Sequence, residues 1–163
     1  MESTVDSKMN FHTRKWVKPE DLNPNRSLFG GRLLQWIDEE AVIYAIVQLE
    51  NPRVVTKFIS EINFINAPKE GDIIEIGIIA TNFGRTSLTM RCEVRNMLTR
   101  EPILTIEKLV FVNLDIDGQP KPHGKTAISY VRDRLQVMNI PLSVASNIAD
   151  SEAAAADQVN STF

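Results

Sequence analysis

The chain has few of the features that mark out several large classes of protein. Only one of its 163 residues is a cysteine, Cys92, so no disulfide can form within one chain. Residues 1–16 contain no apolar run of the kind that a secretory signal needs. The longest apolar stretch, from Ala41 to Leu49, is too short to span a bilayer. We therefore expect a cytoplasmic protein that does not act in a membrane.

Charge and composition reduce the classes of partner and ligand that this chain is expected to bind. The formal net charge is −3, and lysine and arginine form no continuous stripe, so nucleic acid is not expected as a partner. No cluster of metal-ligating residue types appears in the sequence, and no metal site is predicted. The apolar fraction of 43% and the charged fraction of 24% are typical of one soluble globular domain with its own core.

The first third of the chain predicts a strand, a loop and a long helix. Residues 1–9 are polar and are predicted to be disordered, and Phe11–Val17 can form a strand. The segment 18–28 is rich in Pro, Asn and Asp, which favours a loop. Apolar residues then recur at helical spacing over Gly30–Leu49, on nearly every side. Such a helix is expected to be buried on more than one face.

The segment after the helix predicts sheet. Alternating or apolar runs indicate four strands joined by short turns, at Val54–Ile65, Ile73–Thr81, Leu88–Val94 and Ile103–Leu114. Short connections imply antiparallel neighbours. The order of elements predicts an α+β fold, in which an antiparallel sheet wraps around one long central helix.

The C-terminal part of the chain gives weaker signals. Residues 127–138 can form a short helix that would complete a domain spanning residues 10–138. Residues 139–163 have few apolar anchors and are predicted to be a mobile tail.

The region from Asp21 to Glu40, DLNPNRSLFGGRLLQWIDEE, carries a recognisable arrangement. It resembles the hotdog-fold acyl-CoA thioesterases of the YciA and brain acyl-CoA hydrolase type. The first shared element is a D-x-N loop, here Asp21-Leu22-Asn23, and the second is an aromatic residue or His before Gly-Gly, here Phe29-Gly30-Gly31. An acid follows seven residues after the second Gly, here Asp38. Two downstream segments also match, Asn63–Asp72 and Phe83–Ser87. The chain departs from the family at Arg26, where Gly is common, and at Phe29, where a large related group has His.

The resemblance implies an acyl-CoA thioesterase that releases a free fatty acid and CoA. The implied catalytic residues are Asn23, Asp38 and Gly30, and the implied substrate-binding residues are Phe29, Gly31, Arg85, Thr86 and Ser87. No cofactor is implied, because coenzyme A enters only as part of the substrate and product. The resemblance also implies a homodimer, or a hexamer built as a trimer of dimers, in which Asn23 and Asp38 of one site come from opposite protomers.

These residue types suit thioester hydrolysis. Asp38 can act as a general base on water or attack as a nucleophile. Its helix neighbours Leu34, Ala41 and Val42 are apolar, so we expect the carboxylate to be desolvated. Glycines at a helix start let a carbonyl approach unpaired N–H groups, and the neutral amide of Asn23 can hold the water or the thioester.

Each of these residues also has a purely structural interpretation. Glu40 has apolar helix neighbours like those of Asp38, so the pattern alone does not choose between the two acids. Asn23 and Asp21 can be turn formers, Gly30-Gly31 a simple loop-to-helix junction, and Arg85 a solvated hairpin tip. Structural roles are expected for four further sites: His12, His123, Cys92 within the core, and a solvated basic group formed by Lys121, Lys125, Arg132 and Arg134.

Two other functions stay open at this point. A non-catalytic acyl-CoA binding or sensing protein would keep the cleft without needing the acid, and the presence of both Asn23 and Asp38 favours an enzyme. The D-x-N-P sequence, Asp21 to Pro24, also resembles the loop of hotdog enoyl-CoA hydratases. That chemistry uses a nearby histidine, and Asn25 and Arg26 follow here instead.

Overall fold

A computed structural model describes residues 9–129. Several predictions lie wholly or partly outside this range: the disorder of residues 1–9, the short helix at 127–138, the tail at 139–163, and the two arginines of the basic group.

The described chain forms one long helix and a six-stranded sheet. The strands are β1 (Phe11–Trp16), β2 (Val54–Ile59), β3 (Asn63–Phe64), β4 (Ile73–Phe83), β5 (Ser87–Asn96) and β6 (Pro102–Asn113), and the helix is α1 (Gly30–Leu49). A short 3-10 turn, Pro19–Asp21, precedes the helix. The strand order is β1-β4-β5-β6-β2, β3 also pairs with β6, and every pairing is antiparallel. The predicted α+β class and the predicted bounds of the helix are confirmed.

The prediction of a single strand over Val54–Ile65 was wrong. The segment forms β2 and then β3, with residues 60–62 between them. The Ser60 N–H donates to the Lys108 carbonyl at 2.9 Å, and the Ser60 hydroxyl accepts the Lys108 N–H at 3.2 Å. The register of β2 against β6 also shifts between Thr56 and Phe58. Such irregularities bend a strand and end regular pairing, and apolar alternation alone does not reveal them.

The core lies between α1 and one face of the sheet. The alternation predicted for β4 and β5 is confirmed, because the following side chains are all buried: Ile74, Ile76, Ile78 and Ala80 in β4, and Leu88, Met90, Cys92 and Val94 in β5. From α1 the buried apolar residues are Leu33, Trp36, Ile37, Ala41, Ala45 and Leu49. Within residues 9–129, no helix combines the length and apolarity that crossing a membrane demands.

The prediction that α1 is buried on more than one face was wrong for the single chain. The sheet covers one side of the helix, and on the other side Ile43 is 55% exposed and Val47 is 37% exposed. Large apolar side chains of the neighbouring edge are also exposed, namely Phe58, Ile59, Phe64 and Ile65. Several large exposed apolar side chains in one domain typically mark an interaction site.

One side-chain hydrogen bond joins α1 directly to the sheet backbone. The Tyr44 hydroxyl accepts the Ala80 N–H at 3.1 Å. The register of β4 against β5 shifts just after Ala80, so the hydroxyl pairs an amide beside an irregular point of the ladder. Burial raises the pKa of Tyr44, so the neutral phenol is the form that holds this contact.

We predict that Tyr44→Phe lowers the free energy of unfolding by about 1–2 kcal/mol, because it leaves the partly buried Ala80 amide without its acceptor. Urea unfolding followed by circular dichroism measures the change. Thr81→Val is the matched control, since the exposed Thr81 hydroxyl donates to the Thr89 carbonyl and its loss should cost less. Equal midpoints for wild type and Tyr44→Phe would contradict the prediction.

Candidate active site

Asp21 fixes both ends of the loop that precedes α1. Its side chain is only 4% exposed. The carboxylate accepts the Lys18 N–H at 3.1 Å and lies 3.4 Å from the Arg32 guanidinium, while its carbonyl accepts the Phe29 N–H at 2.9 Å. The prediction that Asp21 forms a turn is confirmed, because every one of these contacts organises the loop.

Asn23 holds the centre of the same loop. Its side-chain oxygen accepts the N–H groups of Asn25 and Ser27 at 2.9 and 3.2 Å, and its Nδ2 donates to the Ser27 hydroxyl at 3.1 Å. Through these bonds the Asn23 side chain stabilises the turn, which is the structural role that an asparagine at this position can have. Among residues 9–129, the second amide hydrogen of Asn23 has no hydrogen-bond acceptor, so it remains available to a substrate.

The helix begins with two unpaired amides. α1 starts at Gly30 after Phe29, and Phe29 provides no side-chain cap. The Phe29 carbonyl accepts the N–H groups of Arg32 and Leu33, at 2.9 and 3.1 Å. Within the described part of the chain, the N–H groups of Gly30 and Gly31 have no acceptor. They lie at the positive end of the helix dipole, where a developing negative charge is stabilised.

Two phenylalanine rings flank these amides. A Cβ atom at Gly30 would lie 3.2 Å from the Phe64 ring, and one at Gly31 would lie 2.7 Å from the Phe29 ring. Glycine therefore leaves room for rings where other residues would place a side chain. Both rings are about half exposed, and they form an apolar border beside the two N–H groups. Phe29 was predicted to bind substrate, and Phe64 was not singled out by the sequence.

Asp38 lies further along α1 and is held by a threonine of the edge strand β2. The Thr56 hydroxyl donates to the Asp38 carboxylate at 2.6 Å. The prediction that Asp38 is desolvated was wrong for the single chain, because its side chain is exposed. Its apolar helix neighbours do not enclose the carboxylate when nothing covers that side of α1. Thr56 was missed because its contact with Asp38 crosses from strand to helix.

The turn between β4 and β5 contains the other predicted substrate-binding residues. The Gly84 N–H donates to the Ser87 carbonyl at 2.9 Å, and the Thr86 carbonyl accepts the Asn113 N–H at 2.8 Å. Arg85 is exposed and forms no ion pair within residues 9–129. The turn therefore has a fixed backbone with one free guanidinium beside it.

His123 and Lys125 attach the segment after β6 to this part of the fold. The His123 N–H donates to the Arg85 carbonyl at 3.2 Å, and its ring Nε2 lies 3.1 Å from the Ser87 carbonyl oxygen. The His123 Nδ1 accepts the Lys125 N–H, and the Lys125 ammonium pairs with Glu50 at 2.6 Å. The predicted structural role of His123 is confirmed by these contacts.

Within residues 9–129, no hydrogen bond joins Asp38 to Asn23 or to the two glycines. The predicted site residues therefore form four groups with no hydrogen bond or ion pair between them in residues 9–129: Asn23 with Ser27, the amides at Gly30 and Gly31 with their phenylalanine rings, the Asp38–Thr56 pair, and the Arg85–Ser87 turn. The same residues contain no group of three or more His, Cys, Asp or Glu side chains that could hold a metal ion.

Comparison with known proteins identifies the family. The model of the thioesterase superfamily matches residues 25–102, which include Gly30, Gly31, Asp38, Thr56 and the Arg85–Ser87 turn. The acyl-CoA thioester hydrolase YciA of Salmonella typhimurium is 30% identical over 115 residues, which cover 67% of this chain and 86% of that protein. The chain belongs to the thioesterase superfamily. An uncharacterized acyl-CoA thioester hydrolase of Buchnera aphidicola is 31% identical over 114 residues, covering 66% of this chain and 84% of that protein.

Solved thioesterases have the same hotdog fold as this thioesterase. An apo-hexameric acyl-CoA thioesterase aligns with a TM-score of 0.62 and 29% identity, over 88% of this chain and 91% of that one. The acyl-CoA hydrolase of Staphylococcus aureus, solved with butyryl coenzyme A, coenzyme A and coenzyme A disulfide, aligns with a TM-score of 0.63 and 25% identity. That alignment covers 92% of this chain and 87% of the hydrolase.

The thiol of this thioesterase belongs to none of these groups. Cys92 is completely buried in the core, as predicted, and burial raises the pKa of its thiol to about 12. The thiolate is the nucleophilic form of cysteine, and near neutral pH it is almost absent here.

We predict that Cys92 does not react with a water-soluble aromatic disulfide reagent at pH 8 in the native protein, and that it reacts fully after unfolding in guanidinium. Absorbance of the released thiolate measures both reactions. Cys92→Ala should hydrolyse the thioester at the wild-type rate at temperatures where the less stable variant is still folded. Rapid labelling of the native thiol, or loss of turnover in a folded Cys92→Ala protein, would contradict this.

Proposed function

We propose that this thioesterase hydrolyses acyl-CoA to a free carboxylic acid and CoA, using Asp38 and the amides of Gly30 and Gly31. The observation that carries the proposal is the pair of unpaired N–H groups at the start of α1. The relatives named as acyl-CoA thioester hydrolases, and the butyryl coenzyme A bound to the Staphylococcus aureus enzyme, support the substrate class.

The amides of Gly30 and Gly31 would stabilise the charge that develops during the reaction. Attack on a thioester carbonyl turns its oxygen into an oxyanion in a tetrahedral intermediate. Two fixed N–H donors at a helix N-terminus stabilise that oxygen without reorganising, which is the arrangement of an oxyanion hole. The Phe29 and Phe64 rings reduce the access of competing water to the same two donors.

Asp38 would supply the attacking group, either by accepting a proton from water or by attacking the carbonyl itself. Thr56 donates to one carboxylate oxygen, which fixes the side chain and leaves the other oxygen free. Asn23 would orient the water or the thioester through its remaining amide hydrogen. The proposed reaction uses no metal and no cofactor beyond the CoA of the substrate.

Two protomers would complete each site. Asp38 follows Gly30 by eight residues in one helix, which separates their backbones by about 12 Å along the helix axis. A thioester whose carbonyl oxygen is bound by the amides at the start of a helix would therefore be too far from Asp38 of the same helix for that carboxylate to take part in the attack. We therefore propose that Asn23, Gly30 and Gly31 of one chain face Asp38 of another, across a dimer.

The exposed apolar surface supports the same assembly. β2 is an edge strand with exposed Phe58 and Ile59, and α1 exposes Ile43 and Val47 on its uncovered side. Unpaired edges and apolar faces of this kind are normally covered by a partner. We propose edge-to-edge dimers that assemble into a hexamer, the assembly named for the apo-hexameric relative. The proposed location is the cytoplasm, which the single, reduced cysteine favours.

We predict that Asp38→Ala lowers the turnover of a short-chain acyl-CoA by at least about a hundredfold, because it removes the group proposed to activate the attack. Thr56→Ala should cost about tenfold by freeing the Asp38 rotamer. Release of CoA, detected with a thiol-trapping reagent, measures turnover. Glu39→Gln is the matched control, since Glu39 is an exposed neighbour whose carboxylate accepts a hydrogen bond from Gln35 of the same helix. Near-normal turnover in a folded Asp38→Ala protein would remove Asp38 from the mechanism.

We predict that inactive Asn23→Asp and Asp38→Ala chains restore activity when they are refolded together. The aspartate at position 23 keeps the acceptor that the loop needs and loses the amide donor. If sites are shared across a dimer, half the dimers are mixed and each has one intact site, so about a quarter of wild-type activity returns.

The reciprocal mixture is the control for this experiment. Wild-type chains are refolded with chains that carry both substitutions. Shared sites leave about a quarter of the activity, because every mixed dimer has one lesion in each site, whereas sites within one chain leave about half. Verified mixed dimers of the single mutants without activity would overturn the shared site.

A further inference from the structure

Three consecutive carbonyls of the turn between β4 and β5 are held by hydrogen bonds from outside the turn. The Thr86 carbonyl accepts the Asn113 N–H of β6 at 2.8 Å. The Arg85 carbonyl accepts the backbone N–H of His123 at 3.2 Å, and the Ser87 carbonyl oxygen lies 3.1 Å from the His123 Nε2. His123 therefore supplies two of these three contacts, one through its backbone and one through its ring.

The partners of the His123 ring determine which nitrogen carries its proton. The Lys125 N–H can only donate, so Nδ1, which lies 3.0 Å from it, is the acceptor and has no proton. A carbonyl oxygen can only accept, so Nε2 carries the proton and donates it to Ser87. The ring thus uses both nitrogens, and an edge-to-face contact with Phe83, at 6.3 Å between ring centres, packs against it.

The segment 121–125 is also attached to parts of the fold other than the turn. The Lys121 N–H donates to the Asn113 carbonyl, and the Lys121 carbonyl accepts the Asn113 Nδ2, both at 2.8 Å. Asn113 is only 3% exposed, so this attachment lies inside the fold. On the other side of His123, the Lys125 ammonium pairs with Glu50, which follows α1, at 2.6 Å. Because the segment is held on both sides of His123, that residue is a fixed point for the turn.

We propose that His123 is a positioning residue for substrate binding, because it holds Arg85, Thr86 and Ser87 in one arrangement before acyl-CoA arrives. This rests on the proposed thioesterase function and on the predicted contact of this turn with the substrate. The turn has little stiffness of its own, since Gly84 has no side chain and Arg85 is exposed and forms no ion pair within residues 9–129. Ordering a loop during binding costs affinity, and a contact that orders it beforehand avoids this cost.

Two conservative variants separate the roles of the two ring nitrogens. His123→Asn keeps an acceptor for the Lys125 N–H at the position of Nδ1 and loses the donor to the Ser87 carbonyl. His123→Gln keeps a donor that reaches as far as Nε2 and loses the acceptor for Lys125. If the bond to Ser87 positions the turn, the glutamine variant should behave like the wild type and the asparagine variant should not.

We expect His123→Asn to raise KM for a short-chain acyl-CoA about fivefold, and His123→Gln to keep KM within about twofold of the wild-type value. The value of kcat should not change in either variant, because the turn shares no hydrogen bond with Asp38 within residues 9–129. His123→Phe keeps the ring contact and loses both nitrogens, so it replaces His123→Asn if that variant does not fold, with the same expected rise in KM.

Lys125→Gln is the matched control. It removes the ammonium that pairs with Glu50 and keeps the backbone N–H that bonds the His123 ring, so KM should not change. Amide hydrogen exchange followed by NMR gives a second readout that does not depend on turnover. The Gly84 and Asn113 amides donate to carbonyls of the turn, and they should exchange faster in His123→Asn than in the other variants.

Each result has a defined meaning. An unchanged KM in folded His123→Asn would overturn the proposal, even if amide exchange in the turn becomes faster. An equal rise of KM in the asparagine, glutamine and Lys125→Gln variants would also overturn it, because loosening of the whole segment would then be the cause. If the wild type hydrolyses no acyl-CoA, the proposed function fails, and calorimetry of CoA binding takes the place of KM. A lower affinity for CoA in His123→Asn alone would then support the positioning role, and equal affinities in all variants would overturn it.

Discussion

The first amides of an α-helix have no carbonyl partner within the helix, and the proposed site depends on this constraint. Most helices satisfy these amides with a Ser, Thr, Asp or Asn side chain at the N-cap. Here the N-cap is Phe29, whose side chain has no acceptor, while the Asp21 and Asn23 side chains bond to other backbone amides of the loop. The same helix supplies much of the core, so the packing that stabilises the fold also holds the unpaired amides in place.

The elements that depend on local pattern could be predicted from the sequence, and those that depend on long-range contacts could not. The helix bounds and the alternation of β5 follow from spacing along the chain. The break in Val54–Ile65 arises from pairing of Ser60 with Lys108, and Thr56 reaches Asp38 only after strand and helix have packed. The exposure of Asp38 has the same origin, because its apolar neighbours can enclose it only when another surface covers the helix.

Strand β2 has two unlike sides because a register shift interrupts its pairing with β6. Thr56 points to the helix side, and the register shift that follows brings Phe58 opposite Val110 on the outer face. The paired strands β4, β5 and β6 have register shifts of their own, but their two neighbours in the sheet are already in place. The edge strand β2 therefore combines a register shift with a side that no described strand pairs.

The burial of Cys92 has a consequence for a protein that would release a thiol at every turnover. Free CoA is readily oxidised, and its disulfide is among the ligands seen in the Staphylococcus aureus hydrolase. Exchange with such a disulfide requires a thiolate that can reach it. The one sulfhydryl of this chain is inside the core with a pKa of about 12. The folded protein is thus protected from forming a mixed disulfide with its own product.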